Sequence, residues 1–155
     1  MNKTEKYEAF LSQLSALIEG ETDETAVLAN ASAALATEFG WFWTGFYLVR
    51  GQELLLGPFQ GTVACYHIPF GRGVCGSAWK QGKTLVVPDV ELFPGHIACS
   101  SLSRSEIVVP IIDAKGQIRG VLDIDSTELA TFDNTDQHYL EQAVFIISQQ
   151  LYNHS

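Results

Sequence analysis

Three cysteines, Cys65, Cys75 and Cys99, have the widest chemical reach in this sequence. A thiolate is a nucleophile and an electron donor, and two thiols store two electrons as a disulfide. Cys99 is the best placed of the three. It sits in Gly95-His96-Ile97-Ala98-Cys99-Ser100, late in a stretch without periodicity, so a loop would expose it. His96 is a neighbour that would favour the thiolate. A buried, inert thiol is the ordinary alternative for any single cysteine. Cys65 and Cys75 are remote from Cys99 in sequence, so pairing depends on the fold and either is open as a partner. No C-x-x-C element is present, which disfavours a structural zinc site.

Three carboxylates form the second group. Asp123 and Asp125 alternate within one apolar segment and so share a strand face, while Leu122 and Ile124 point the other way. Together with Glu106 they could hold an ammonium group, bind a metal, or share a proton at raised pKa. A solvated strand end is the plainer reading of the pair alone. Among Trp41, Phe42, Trp43, Phe46 and Tyr47, most must be core. Trp43, Gly45 and Tyr47 share a face, and an exposed Trp43 beside carboxylates would make a box for a methyl group and a cation. Gly71-Arg72-Gly73-Val74-Cys75-Gly76 is a glycine-rich loop whose amides suit a carboxylate or phosphate. It matches neither the P-loop nor the dinucleotide fingerprint.

The elements that must position these groups follow from periodicity. Tyr7, Phe10, Leu11, Leu14, Leu17 and Ile18 mark an amphipathic helix that stops near Gly20. A second runs from about Asp23 to Phe39, with Gly40 as its end. Strands are predicted over 43–49 and 53–59 as a hairpin, over 65–68, and over 84–87, with a short helix over 77–81 between the last two. Residues 88–104 form a long loop, a length that is usually functional. Strands over 106–112 and 118–124 precede a final helix opening near Asp133, with Asp136 as capping partner. The expected architecture is α+β: about six mainly antiparallel strands, the terminal helices on one face and a loop-built pocket on the other.

The length of 155 residues suits a single domain over the whole chain. The formal net charge of −9 argues against nucleic-acid binding, and no apolar run approaches a membrane span. The start Met-Asn-Lys-Thr-Glu-Lys-Tyr lacks the order of a secretory signal, so cytoplasmic residence is the expectation. An odd cysteine count agrees with this.

Taken together, the segments resemble the free methionine-(R)-sulfoxide reductases, a family of single GAF domains. The resemblance rests on Trp43-Thr44-Gly45-Phe46-Tyr47-Leu48, Gly57-Pro58-Phe59-Gln60-Gly61, Ala64-Cys65, Ile68-Pro69, the 71–76 loop, Asp89-Val90, Gly95 to Cys99, Ser105 to Pro110 and Gly120 to Ser126. It implies a GAF fold, Cys99 as catalytic thiol, Cys65 as resolving partner and Cys75 as accessory cysteine. It implies further that Trp43, with Tyr47 on the same face, lines the pocket for the methyl end, and that Glu106, Asp123 and Asp125 contact the sulfoxide and ammonium groups. The activity implied is reduction of free L-methionine-(R)-sulfoxide, recycled by thioredoxin, with no cofactor and no metal. Ser100 departs from the family, where Asp often follows the catalytic cysteine. A homodimer through the terminal helices is a further expectation. The rival readings are a non-catalytic small-ligand module and a redox sensor.

Overall fold

The computed structural model describes residues 1–153. Helices α1 (Lys3–Ile18) and α2 (Glu24–Phe39) lead into strands β1 (Trp43–Arg50), β2 (Glu53–Gln60) and β3 (His67–Pro69). Helix α3 (Gly73–Gln81) and strand β4 (Leu85–Val87) follow, then a 3-10 turn at Val90–Leu92, strands β5 (Ser105–Ile112) and β6 (Ile118–Ser126), and helix α4 (Asn134–Tyr152). The six strands form one sheet in the order β3-β2-β1-β6-β5-β4, and every adjacent pair is antiparallel.

Local chemistry sets the helix ends. Asp23 caps α2 by accepting from the Ala26 amide, and Gly40 closes it in the left-handed conformation. Asp133 and Asp136 form a capping box on α4. Asp136 does more than cap: its Oδ1 accepts from the buried Tyr7 hydroxyl at 2.6 Å and its Oδ2 takes Lys3 Nζ at 2.7 Å. One buried carboxylate thus ties α1 to α4.

The sheet is covered on both faces, and this creates the site. On one face Phe46, Leu48, Ile107, Val109, Leu122 and Ile124 pack against the apolar stripes of α1, α2 and α4. Each fully buried leucine or isoleucine there contributes about 2 kcal/mol. On the other face Trp43, Tyr47, Val108 and Val121 meet α3 and the loop after β4. Burial on both sides is why β1 is inaccessible at its first six positions despite its alternating chemistry.

Several expectations are corrected. The third strand begins at His67, so Cys65 lies in the loop before it, where the Tyr47 hydroxyl holds its carbonyl at 2.9 Å. Helix α3 begins at Gly73, which places Cys75 in its first turn rather than in a loop. Strand β6 extends to Ser126 and includes Asp125. Trp43 is buried, 4% exposed, and Asp123 is no solvated strand end at 6%. No helix among the described residues is long and apolar enough to cross a membrane.

Candidate active site

The registers of β1, β5 and β6 bring the carboxylates together. Asp125 lies opposite Trp43 on one side and Glu106 on the other, and Asp123 lies opposite Gly45 and Val108. Period-two geometry then puts Glu106, Asp123, Asp125, Trp43 and Tyr47 on the face away from the terminal helices. One cavity is lined by all five, together with Cys75 and Cys99. Cys65 does not line it. Its sulfur is joined to Cys99 in a disulfide, with Cα atoms 5.4 Å apart. Cys75 is free and buried, its Sγ 3.9 Å from Glu106 Oε2.

Glycines make the close approaches possible. Trp43 stacks on Phe59 at 5.1 Å between ring centroids, and its Nε1 donates to the Thr62 carbonyl at 2.9 Å. A Cβ on Gly61 would stand 2.5 Å from Trp43 Cδ1. A Cβ on Gly45 would strike Phe59 and come within 2.8 Å of Trp43 Cη2. These two positions form the slot for the indole. The Phe59 backbone cannot give way cheaply, so Gly45→Ala should cost about 1–3 kcal/mol. Urea unfolding should show a lower midpoint at unchanged slope. At the other wall, a Cβ on Gly73 would lie 3.1 Å from Ile97, so the bare start of α3 lets the Cys99 loop pack close. Arg72 provides no side-chain cap for α3, which leaves amides of its first turn without a partner from that side chain.

The electrostatics are those of charge crowded into a dry place. Burial, then Asp123 and Asp125, raise Glu106 well above the usual carboxylate range. Burial and then Asp123 do the same to Asp125. Asp123 is raised by burial, but hydrogen bonds involving Glu106, Cys75 and Asp125 oppose the rise. All three carboxyls are therefore held toward the protonated form, Asp123 least because its neighbours' hydrogen bonds oppose the rise. The Cys75 thiol is pushed up by burial and then by Asp123 and Glu106, which makes it a poor nucleophile. Burial lowers His96, so its imidazole is neutral near pH 7.

A pH dependence of stability follows. Glu106 and Asp125 bind protons more tightly folded than unfolded, so their contribution is complete below the unfolded carboxylate values near about 4. It is lost as pH rises through the raised folded values. Unfolding free energy should therefore fall as pH rises above the unfolded carboxylate values near about 4, and Glu106→Gln should flatten that slope in urea titrations.

A six-stranded antiparallel sheet with the terminal helices on one face and a cavity on the other is the architecture of a GAF domain, and the GAF domain family model matches residues 21–151. The chain is 56% identical over 147 residues to GAF domain-containing protein A of Dictyostelium discoideum, covering 94% of this chain and 92% of that one. It is 49% identical over 147 residues to the free methionine-R-sulfoxide reductase of Escherichia coli, covering 93% and 87%. The solved free methionine-R-sulfoxide reductase of Neisseria meningitidis, in complex with its substrate, superposes with a TM-score of 0.94 at 53% identity, covering 97% and 90%. The chain belongs to the family of free methionine-R-sulfoxide reductases.

Of the expected site residues, the structure brings all but Cys65 to the cavity wall, and Cys65 to the sulfur behind it. Gly45, Gly61 and Ile97 were not anticipated. Gly45 and Gly61 carry a signal in the sequence, since each lies in a glycine–aromatic segment, but their contact partners are set by the pairing of β1 with β2.

Proposed function

We propose that this chain reduces free L-methionine-(R)-sulfoxide to L-methionine with Cys99 as the attacking thiol, and that thioredoxin restores its dithiol. The observation that carries the reading is the coincidence of the Cys65–Cys99 disulfide and the buried carboxylate triad at one cavity. The substrate complex of the Neisseria relative supports the choice of ligand.

Each part has a role in this reading. The ammonium group sits against the Asp123 carboxylate, and the substrate carboxylate takes amides at the start of α3, where no side chain caps the helix. Trp43, with Tyr47 beside it, walls the methyl end. A protonated carboxyl at Glu106 or Asp125 donates to the sulfoxide oxygen while the Cys99 thiolate attacks sulfur. Methionine leaves and Cys99 becomes a sulfenic acid. The Cys65 thiol attacks that sulfur, water departs, and the disulfide forms. The sum is two thiols and one sulfoxide giving one disulfide, one methionine and one water. Cys75 acts beside the carboxylates and does not attack, because burial keeps it protonated. A dithiol of thioredoxin then exchanges with the disulfide. No step calls on a cofactor.

The chain works as one domain in this account, in the cytoplasm. It pairs as a homodimer through its terminal helices, a reading supported by Leu17 on α1 and Phe145 on α4, which are 47% and 60% exposed. Light scattering should give twice the 17.0 kDa chain mass, and Phe145→Asp should return it to one.

Turnover of the sulfoxide coupled through thioredoxin and thioredoxin reductase to NADPH oxidation tests the reading. Sustained consumption that requires both protein and sulfoxide is expected. Peroxide-driven disulfide formation without sulfoxide turnover would instead make the chain a redox sensor.

A further inference from the structure

Cys75 and two of the cavity's carboxylates also form a ligand set that suits a metal ion. Cys75 Sγ, a Glu106 carboxylate oxygen and an Asp123 carboxylate oxygen all lie within 4.8 Å of one another. All three residues are buried. One further atom points to a missing partner: Asp123 Oδ1 is buried and has no hydrogen-bond partner, in a residue only 6% exposed that lines the cavity. Buried carboxylate oxygens are rarely left so, and a cation satisfies them.

We propose that Cys75, Glu106 and Asp123 bind a thiophilic divalent cation of the zinc class, and that the ion excludes the substrate's ammonium group. One thiolate and two carboxylates suit zinc, cobalt or cadmium, and not magnesium, which avoids sulfur. In a tetrahedral zinc site, sulfur and oxygen ligands stand roughly 3.5 Å apart. The 3.9 Å between Cys75 Sγ and Glu106 Oε2 needs only a side-chain adjustment. Three protein ligands leave a fourth position open to the cavity for water. The ion takes the place of the protons on Cys75 and Glu106, as metals do at thiols and acids. The exclusion rests on the proposed function, because Asp123 is there the ammonium's partner; the binding does not.

The disulfide offers a clean test, since in the oxidised chain Cys75 is the one remaining thiol. Co2+ is titrated into the oxidised, full-length protein and followed by absorption. A thiolate-to-cobalt charge-transfer band is expected, lost in Cys75→Ser and weakened about 10–100-fold in apparent affinity in Asp123→Asn. Near-ultraviolet circular dichroism shows that the variants remain folded. Zn2+ should displace the band, and free methionine should raise the apparent dissociation constant for cobalt. Absence of the band in the wild-type protein overturns the site. Equal affinity in Asp123→Asn overturns the three-residue assignment. A band unaffected by saturating methionine leaves the metal site standing and overturns the exclusion. Activity enters none of these readings, so failure of the reductase reading would be seen separately in the NADPH-coupled assay.

Discussion

Cys99→Ser is expected to abolish sulfoxide turnover, a loss of at least about 10⁴-fold, because no other group in the cavity is a competent nucleophile. Cys75 is the only other thiol on the cavity wall, and burial together with the neighbouring acids holds it protonated. Cys65→Ser should behave differently. Cys65 stands behind Cys99 and does not line the cavity, so the first chemical step should survive. One methionine should form per chain in a single turnover, and Cys99 should remain as a sulfenic acid that a 1,3-dicarbonyl reagent traps. Thioredoxin-driven turnover should collapse. In Cys75→Ser the Cys65–Cys99 disulfide should still form. Mass spectrometry of each variant after one equivalent of sulfoxide checks the three outcomes, and full turnover in Cys99→Ser would refute the assignment.

The second large effect is at Asp123. Burial raises all three carboxyls of the triad, and Asp123 is the one whose rise its neighbours' hydrogen bonds oppose. If Asp123 holds the ammonium as proposed, Asp123→Asn removes that group's counter-charge inside a buried site. Breaking such a pair costs about 3–5 kcal/mol, so kcat/KM should fall on the order of 10²–10⁴-fold. The folded chain should not suffer equally. Asp123 is buried with one oxygen lacking a partner, so a neutral amide in its place relieves a cost of folding. Urea unfolding should therefore show the variant as stable as the parent or more so, as expected where a site is held at the expense of stability. Activity that falls only in step with lost folding would reject the role.

Much of this arrangement was legible in the sequence, for local reasons. Alternation in β1 and β6 separated Phe46, Leu48, Leu122 and Ile124 from Trp43, Asp123 and Asp125, because a strand has a period of two whatever covers it. Asp23, Gly40, Asp133 and Asp136 announced their helix ends through side-chain and backbone chemistry of a few residues. The resemblance of the segments supplied Cys65 as the partner of Cys99; the spacing of the cysteines alone did not.

What escaped is non-local or masked. Gly71-Arg72-Gly73 hides the start of α3, since glycine is a poor helix former and no capping side chain marks the turn, so the sequence around Cys75 reads as a loop. Cys65-Tyr66-His67-Ile68 has the composition of a strand, yet pairing with β2 as a strand starts at His67, while the disulfide and the Tyr47 hydroxyl hold Cys65 apart. The meeting of Glu106 with Asp125 depends on the register of β5 against β6, and their burial depends on α3 and the Cys99 loop closing over that face. A solvated strand end and a buried proton-sharing site have the same local sequence.

The most direct measurement is a single turnover of the fully reduced protein with each stereoisomer of free methionine sulfoxide, without thioredoxin. One methionine per chain from the (R) isomer is expected, with loss of two thiols to the Cys65–Cys99 disulfide and little product from the (S) isomer. Equal reduction of both isomers, or methionine formed without that disulfide, would contradict the proposed function.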